Sequence, residues 1–333
     1  MTTINRQVLL ARRPQGPVSE SDFRIVDAPM PQPADDEVLV RNEWLSLDPY
    51  MRGRMSDAKS YVPPAALDAV MVGQTVGEVV TSRDPRFASG DKVLTNLGWQ
   101  SHGAAKAADL TKVDAQRAPP SYYLGVLGMP GITAWFGLFE IGQPKPGETV
   151  VVSAASGAVG SVVGQLAKAH GCRAVGIAGG KAKCDYVVNE LKFDACIDYK
   201  AGNLEAAIAA ACPQGVDVYF DNVGGPVLDA VLTQMNAFSR IALCGQISGY
   251  NNPDALTVRN FRSFLVNRIQ LRGFICSDHM DLWRPALKEL GMLVHEGKLK
   301  YRESIAQGLE NAPAAFIGLL NGQNFGKQLV KLI

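Results

Sequence analysis

Cysteine is absent from the first 171 residues of this 333-residue chain, and histidine stands there only at His102 and His170. That stretch cannot supply the thiolate and imidazole ligands of a zinc site, and no metal is expected. All six cysteines fall later, at 172, 184, 196, 212, 244 and 276, with no Cys-x-x-Cys pair among them. The opening MTTINRQVLLARRPQG lacks the apolar core of a secretion signal, so free thiols and a cytoplasmic location are expected. A surplus of one charge is missing too. Lys and Arg number 33 against 32 Asp and Glu, a net +1 without any basic run, which argues against a nucleic-acid partner. Residues 118–139 carry no charge, but Pro119, Pro120, Pro130 and the polar Ser121, Tyr122 and Tyr123 mark a buried segment rather than a membrane span.

The length predicts two domains. Up to about residue 117 the chain reads as strands and turns. EVLVRNEWLSLD and VGQTVGEVVTS are rich in β-branched residues, and Ser89-Gly90-Asp91 signals a turn ahead of another strand. From Gly147 the pattern alternates. ETVVVSA, CRAVGIAG, ACIDY, VDVYFDNVGG, RIALCG and IQLRGFI predict strands. KAKCDYVVNELK, NLEAAIAAAC and PVLDAVLTQM predict helices between them, the α/β pattern of a doubly wound parallel sheet. A final helix is expected over 280–295, after which the chain leaves the alternation and returns to the first domain.

SAASGAVGSVVGQLAKAHG (153–171) lies between a predicted strand and an amphipathic helix. A dinucleotide turn brings backbone N–H groups against a pyrophosphate at a helix N-terminus, and side chains in mid-turn obstruct that approach. Gly157 and Gly160 occupy the second and third glycine places, and Ala155 the first. Alanine costs little there if its φ stays negative. The acid that binds ribose hydroxyls in NAD domains, about 20 residues on, is missing from GIAGGKAK. Gly179 and Gly180 leave space, while Lys181 and Lys183 add positive charge that suits a 2′-phosphate, which points to NADP(H). Either lysine could instead sit on a solvated helix face. DNVGG, CGQISGY and GFICSD follow predicted strands and are candidates to line the crevice; ordinary turn chemistry is the alternative for Asp221-Asn222.

Other chemistries fail on spacing. No tyrosine is followed four places later by lysine, Ser156 has no glycine two places before it, and GQNFGKQ is too short for a phosphate loop.

LSLDPYMRGRM, LGMPGITAWFGL, AASGAVGSVVGQLAK, AGGKAKC, DNVGG, CGQISGYN and GLENAPAAFIGLLNGQNFGK together resemble the NADPH-dependent alkenal/one reductases. These form a zinc-free branch of the medium-chain dehydrogenase/reductases that also holds the leukotriene B4 dehydrogenase/prostaglandin reductases, and the bacterial curcumin reductases are nearest. The resemblance spans essentially the whole chain. It implies a GroES-like β domain over 1–124, a Rossmann domain over 125–298 and a C-terminal return over 299–333. Where zinc-dependent relatives carry Gly-His-Glu, this chain has Gly73-Gln74-Thr75.

The resemblance further implies hydride transfer from NADPH to the β-carbon of a small α,β-unsaturated ketone or aldehyde, in a homodimer. The pyrophosphate turn would be Ala155, Ser156, Gly157, Ala158, Val159 and Gly160. Gly179, Lys183 and Tyr199 would take the 2′-phosphate, with Asn222 and Asn324 also on the cofactor. Cys244, Gly245 and Ile247, then Phe274, Ile275 and Cys276, would pass beside ribose and nicotinamide through their backbone. The short NNPDALTV stands where prostaglandin reductases carry a proline-rich loop, which argues against a prostaglandin-sized substrate.

Such a reaction builds charge on the carbonyl oxygen and calls for a donor there. Tyr250 is the candidate, a phenol protonated at neutral pH, with a loop aromatic as the alternative. Tyr50 either reaches the cleft from the β domain or packs beside the Asp48-Pro49 turn. Arg52 is expected to make a surface ion pair. Two other activities stay open: a quinone reductase of the same branch, for which Tyr250 would be dispensable, and an NADPH-binding protein without catalysis.

Overall fold

The structure, a computed structural model, describes residues 4–333. Along the chain come β1 (Ile4–Leu10), β2 (Phe23–Pro29), β3 (Glu37–Ser46), α1 (Tyr50–Arg54), β4 (Thr75–Ser82), β5 (Lys92–Thr95), β6 (His102–Lys106) and β7 (Thr111–Lys112). Next are α2 (Met129–Phe136), β8 (Thr149–Ser153), α3 (Gly160–Ala169), β9 (Arg173–Ala178), α4 (Lys181–Asn189), β10 (Ala195–Asp198) and α5 (Leu204–Ala211). Then follow β11 (Val216–Asp221), α6 (Gly225–Leu232), β12 (Met235–Leu243), α7 (Arg262–Val266), β13 (Gln270–Gly273) and α8 (Trp283–His295). The chain closes with β14 (Glu303–Gln307), α9 (Ala312–Leu320) and β15 (Lys327–Lys331). It divides into two compact units, Met1–Gly125 with Glu303–Ile333, and Val126–Arg302.

In the first unit β1 and β2 pair with each other, and a seven-stranded sheet runs β14-β15-β3-β4-β5-β7 with β6 on β3. Its pairings are antiparallel except β14 with β15. The C-terminal segment belongs here because β15 pairs with β3, Leu329 opposite Ser46, and because α9 brings Phe316 into the core. Phe23 stacks on Trp99 at 5.3 Å, and Phe316 meets Trp99 edge-on at 5.7 Å. Among the described residues no helix is long and apolar enough to cross a membrane. The uncharged 118–139 stretch is broken into a turn over Pro120–Leu124 and the separate α2.

The second unit is a six-stranded sheet, β10-β9-β8-β11-β12-β13, with every pairing parallel. β8 (TVVVS) is buried at all positions, as a strand covered on both faces must be. Val150, Val151 and Val152 are fully buried, each worth roughly 1.5–3 kcal/mol in transfer free energy. The unit extends to Arg302 because Gln165 on α3 clasps Lys300: its amide donates to the Lys300 carbonyl at 2.9 Å and accepts from the Lys300 N–H at 2.7 Å. The last helix begins at Trp283, later than the expected 280. His279 stacks on Phe136 at 4.6 Å and takes non-helical dihedrals, so Cys276–Leu282 form separate tighter turns.

Candidate functional site

The strand order reverses at β8. Connections leave it toward β9 and β10 on one side and toward β11, β12 and β13 on the other, so the loops after β8 and β11 flank an opening at the carboxyl end of the sheet. The two loops are tied together. The Ser153 hydroxyl accepts from the Asn222 N–H at 2.8 Å, and the Asn222 side-chain amide donates to the Ser153 carbonyl at 2.8 Å. Asp221, fully buried, holds the second loop. Its Oδ1 accepts from the Tyr219 hydroxyl at 2.8 Å, the Ser153 hydroxyl at 3.2 Å, and the Val223 and Gly224 N–H groups, both at 2.9 Å. Burial nonetheless pushes this carboxyl above its ordinary range. Asp221 therefore performs turn chemistry, and Asn222 is pinned across to β8.

The turn after β8 is built as a cradle. Ala155 donates to Ile177 on β9 at 3.0 Å and Gly157 to Ala154 at 2.9 Å, while the N–H groups of Ala158, Val159 and Gly160 find no backbone acceptor within this unit. Ala155 keeps a negative φ; Ala154 before it is the left-handed residue, φ 51°. A Cβ added at Gly160 would lie 2.4 Å from the Ala154 carbonyl oxygen, so only glycine fits. A Cβ at Gly176 on β9 would lie 2.7 Å from the Ala155 methyl. The alanine in the first glycine place is thus accommodated by a glycine on the next strand, a signal the motif alone did not carry.

At the ends of β9 and β10 the Asp198 carboxylate accepts from the N–H groups of Gly180 at 2.8 Å and Lys200 at 3.0 Å. The Tyr199 ring lies against Gly179, where a Cβ would stand 2.8 Å from it. Lys183 is half-buried, and burial followed by the neighbouring Lys200 holds its pKa below the ordinary lysine value. Two lysines beside an exposed aromatic ring suit a phosphate dianion, whose charge would relieve their repulsion. Lys200 was missed in the sequence, although it adjoins Tyr199. Lys181 is on the solvated face, paired with Asp185 at 2.6 Å.

The N–H groups of Cys244 and Gly245 are committed to the Asp221 carbonyl at 2.8 and 3.0 Å, and that of Ile247 to the Asn222 carbonyl at 3.3 Å. Their carbonyls, not their amides, are what a ligand could meet. The half-buried Tyr250 accepts from the Gln246 N–H at 3.5 Å, and its hydroxyl lies 3.5 Å from where a Cβ on Gly245 would be. This sets the phenol beside the Asn222–Gly245 crossing. Phe274 packs its ring against Phe136 at 5.5 Å, leaving its backbone with the half-buried Ile275 at the end of β13. Cys276 is packed inward: its carbonyl accepts from Trp283 Nε1 at 2.9 Å and its sulfur from the Thr133 hydroxyl at 3.3 Å.

In the first unit, Tyr50 opens α1 and its phenol is raised above the ordinary value by burial and then by Asp48, so it stays protonated. Asp48 is held by the fully buried Lys327, whose ammonium donates to it at 2.6 Å and to the Leu47 carbonyl at 2.7 Å. Arg52 corrects the expectation of a surface ion pair. It is 8% exposed and donates to the Gly16 carbonyl at 2.9 Å, because α1 turns it into the core side of the loop. Asn324 donates to the Gly326 carbonyl at 2.7 Å and lines a shallow pocket with Ser304, Ala314 and Gln323. Among the described residues no group of three or more His, Cys, Asp or Glu is placed to hold a metal.

A six-stranded parallel sheet with a glycine-bearing turn at its reversal is dinucleotide-binding architecture. Residues 6–113 match the family described as N-terminal domain of oxidoreductase, and 158–291 the one described as zinc-binding dehydrogenase. NADPH-dependent curcumin reductase of Escherichia coli (strain K12) is 48% identical, over 98% of this chain and 97% of its own. The 2-alkenal reductase (NADP(+)-dependent) of Nicotiana tabacum is 43% identical, over 98% and 97%. CurA from Vibrio vulnificus, solved in complex with NADPH, superimposes with a TM-score of 0.94 at 47% identity, covering 98% of this chain and 99% of that one. The chain belongs to the zinc-free branch of the medium-chain dehydrogenase/reductase family.

Proposed function

We propose that this protein is an NADPH-dependent reductase of the C=C bond of α,β-unsaturated ketones and aldehydes. The observation that carries the reading is the amide cradle at Ala158–Gly160, set at the same carboxyl end of the sheet as Lys183 and Lys200, where the one carboxylate, Asp198, is taken up by the N–H groups of Gly180 and Lys200. Full-length relatives named as curcumin and 2-alkenal reductases support it. When bound, the reduced cofactor supplies a hydride to the substrate's β-carbon, which leaves negative charge on the carbonyl oxygen. The turn from Ala155 to Gly160 holds the pyrophosphate through backbone N–H groups. Lys183, with Lys200 behind it and Tyr199 beside Gly179, holds the 2′-phosphate. Asn222, the carbonyls of Cys244, Gly245 and Ile247, and the Phe274–Ile275 backbone border the rest of the cofactor; Cys276 supports them by packing. Tyr250 donates to the developing oxyanion.

A homodimer has support in β13, an edge strand exposed at every residue, and in the exposed Phe261, just before α7, and Leu265 within it. Six free cysteines suit a reducing compartment, the cytoplasm. The test of the activity is loss of NADPH absorbance with a panel of enones, alkenals and quinones. Oxidation with enones and alkenals is expected; turnover of quinones alone would make the protein a quinone reductase, and tight binding without turnover would remove catalysis altogether.

A further inference from the structure

Cys184 lies near the start of α4 and Cys196 on β10, with their sulfurs 3.1 Å apart and the Cys196 thiol donating to Cys184. Among the described residues no other two cysteines make a sulfur–sulfur hydrogen bond. Cys196 stands in register with Gly176 on β9, and a Cβ there would meet its sulfur at an ordinary contact distance of 3.4 Å. The same two elements end in the proposed phosphate site. Lys183 directly precedes Cys184, and Tyr199 comes three residues after Cys196.

We propose that Cys184 and Cys196 close into a reversible disulfide under peroxide, and that closure weakens the hold on the 2′-phosphate of NADPH. Cys184 gives an electron pair to hydrogen peroxide; the O–O bond breaks, a sulfenic acid forms and water leaves. The Cys196 sulfur then attacks that sulfenic sulfur, the S–S bond forms, and the hydroxyl departs with the second thiol proton as another water. Two thiols are oxidised by two electrons and one peroxide is reduced to two waters. Burial raises both thiols, so the pair rests protonated at neutral pH; the thiolate is the form that peroxide oxidises, so closure is slow there and quickens as pH rises.

A disulfide needs sulfurs about 2 Å apart, so closure draws them about 1 Å nearer than in the thiol pair. β10 is fixed by its parallel ladder to β9, so α4 takes up the movement and carries Lys183 with it. The consequence for NADPH rests on the cofactor reading above; the bond itself does not.

The experiment treats the full chain with hydrogen peroxide and digests it without reductant for mass spectrometry. Affinities for NADPH and NADH are measured in parallel. A peptide joining Cys184 to Cys196, lighter by two hydrogens and reversed by dithiothreitol, is expected, and Cys196→Ser and Cys184→Ser should both lack it. Oxidised wild type should bind NADPH about tenfold more weakly, the loss of about one charge-assisted hydrogen bond, with NADH unchanged. Folded, oxidised protein without the joined peptide would overturn the disulfide, and a joined peptide with unaltered NADPH-to-NADH preference would overturn the switch. Reduced protein that bound no NADPH would refute the cofactor reading, while the joined peptide would still decide the bond.

Discussion

Lys183→Met keeps most of the side chain's length and removes its charge at the proposed 2′-phosphate site. A hydrogen bond to a charged group is worth about 1.5–3 kcal/mol, or roughly ten- to 150-fold in affinity. Lys183 is only half-buried and Lys200 remains nearby, so solvent screening and the second cation place the effect at the low end. The Kd for NADPH should rise about tenfold at low ionic strength, and less in high salt. NADH, which lacks the phosphate, should bind as before, and kcat at saturating cofactor should stay within about twofold. Titration calorimetry with both cofactors, paired with initial rates, reads all of these.

The pH dependence has a definite sign. In the free protein burial and Lys200 make the Lys183 ammonium easier to deprotonate than an ordinary lysine. A bound phosphate favours the charged form, so this part of NADPH affinity is complete below the lowered pKa and is lost as pH rises through it. Lys183→Met should abolish that alkaline limb. Equal weakening of NADPH and NADH, or no change in either, would refute the assignment of the phosphate site.

Tyr250→Phe should lower kcat for an enone by about 10²–10³-fold without changing NADPH affinity, which stopped-flow single turnovers would measure. Gly160→Ala forces a Cβ to within 2.4 Å of the Ala154 carbonyl; NADPH binding by calorimetry should vanish, and thermal unfolding should report a loss of about 1–3 kcal/mol. Glu303 accepts from the Ser121 hydroxyl at 3.1 Å while its other oxygen is buried without a partner, and burial raises its pKa. A raised carboxyl costs the folded state once ionised, so that stability is lost as pH rises through the raised value; Glu303→Gln should therefore gain in Tm over wild type at neutral pH and lose the advantage in mild acid.

The alternation of strands and helices after Gly147 was legible because the central strand β8 is buried on both faces, and an unbroken apolar run such as TVVVS is the mark of that burial. The turn was legible through Gly157 and Gly160. What stayed hidden depends on neighbours far along the chain. Arg52 carries no mark of burial in DPYMRGRM, because its partner is a carbonyl at Gly16. Cys276 offered a backbone to the cofactor on paper, yet Trp283 and Thr133 occupy its carbonyl and sulfur. Lys327 reads as one more terminal lysine, and only the fold buries it on Asp48.

Gly176 shows why local motifs understate a site. A side chain there would meet Ala155 at 2.7 Å, Val187 at 3.0 Å and the Cys196 sulfur at 3.4 Å. One absent Cβ therefore makes room for two things at once, an alanine in the proposed pyrophosphate turn and the close seating of α4, with the Cys196 thiol in ordinary contact beside them. The departure from three glycines at Ala155 is thus no loss of the nucleotide turn. The space has been supplied from β9 instead of from the turn itself, and the same packing couples the turn to α4, the helix that carries Lys183.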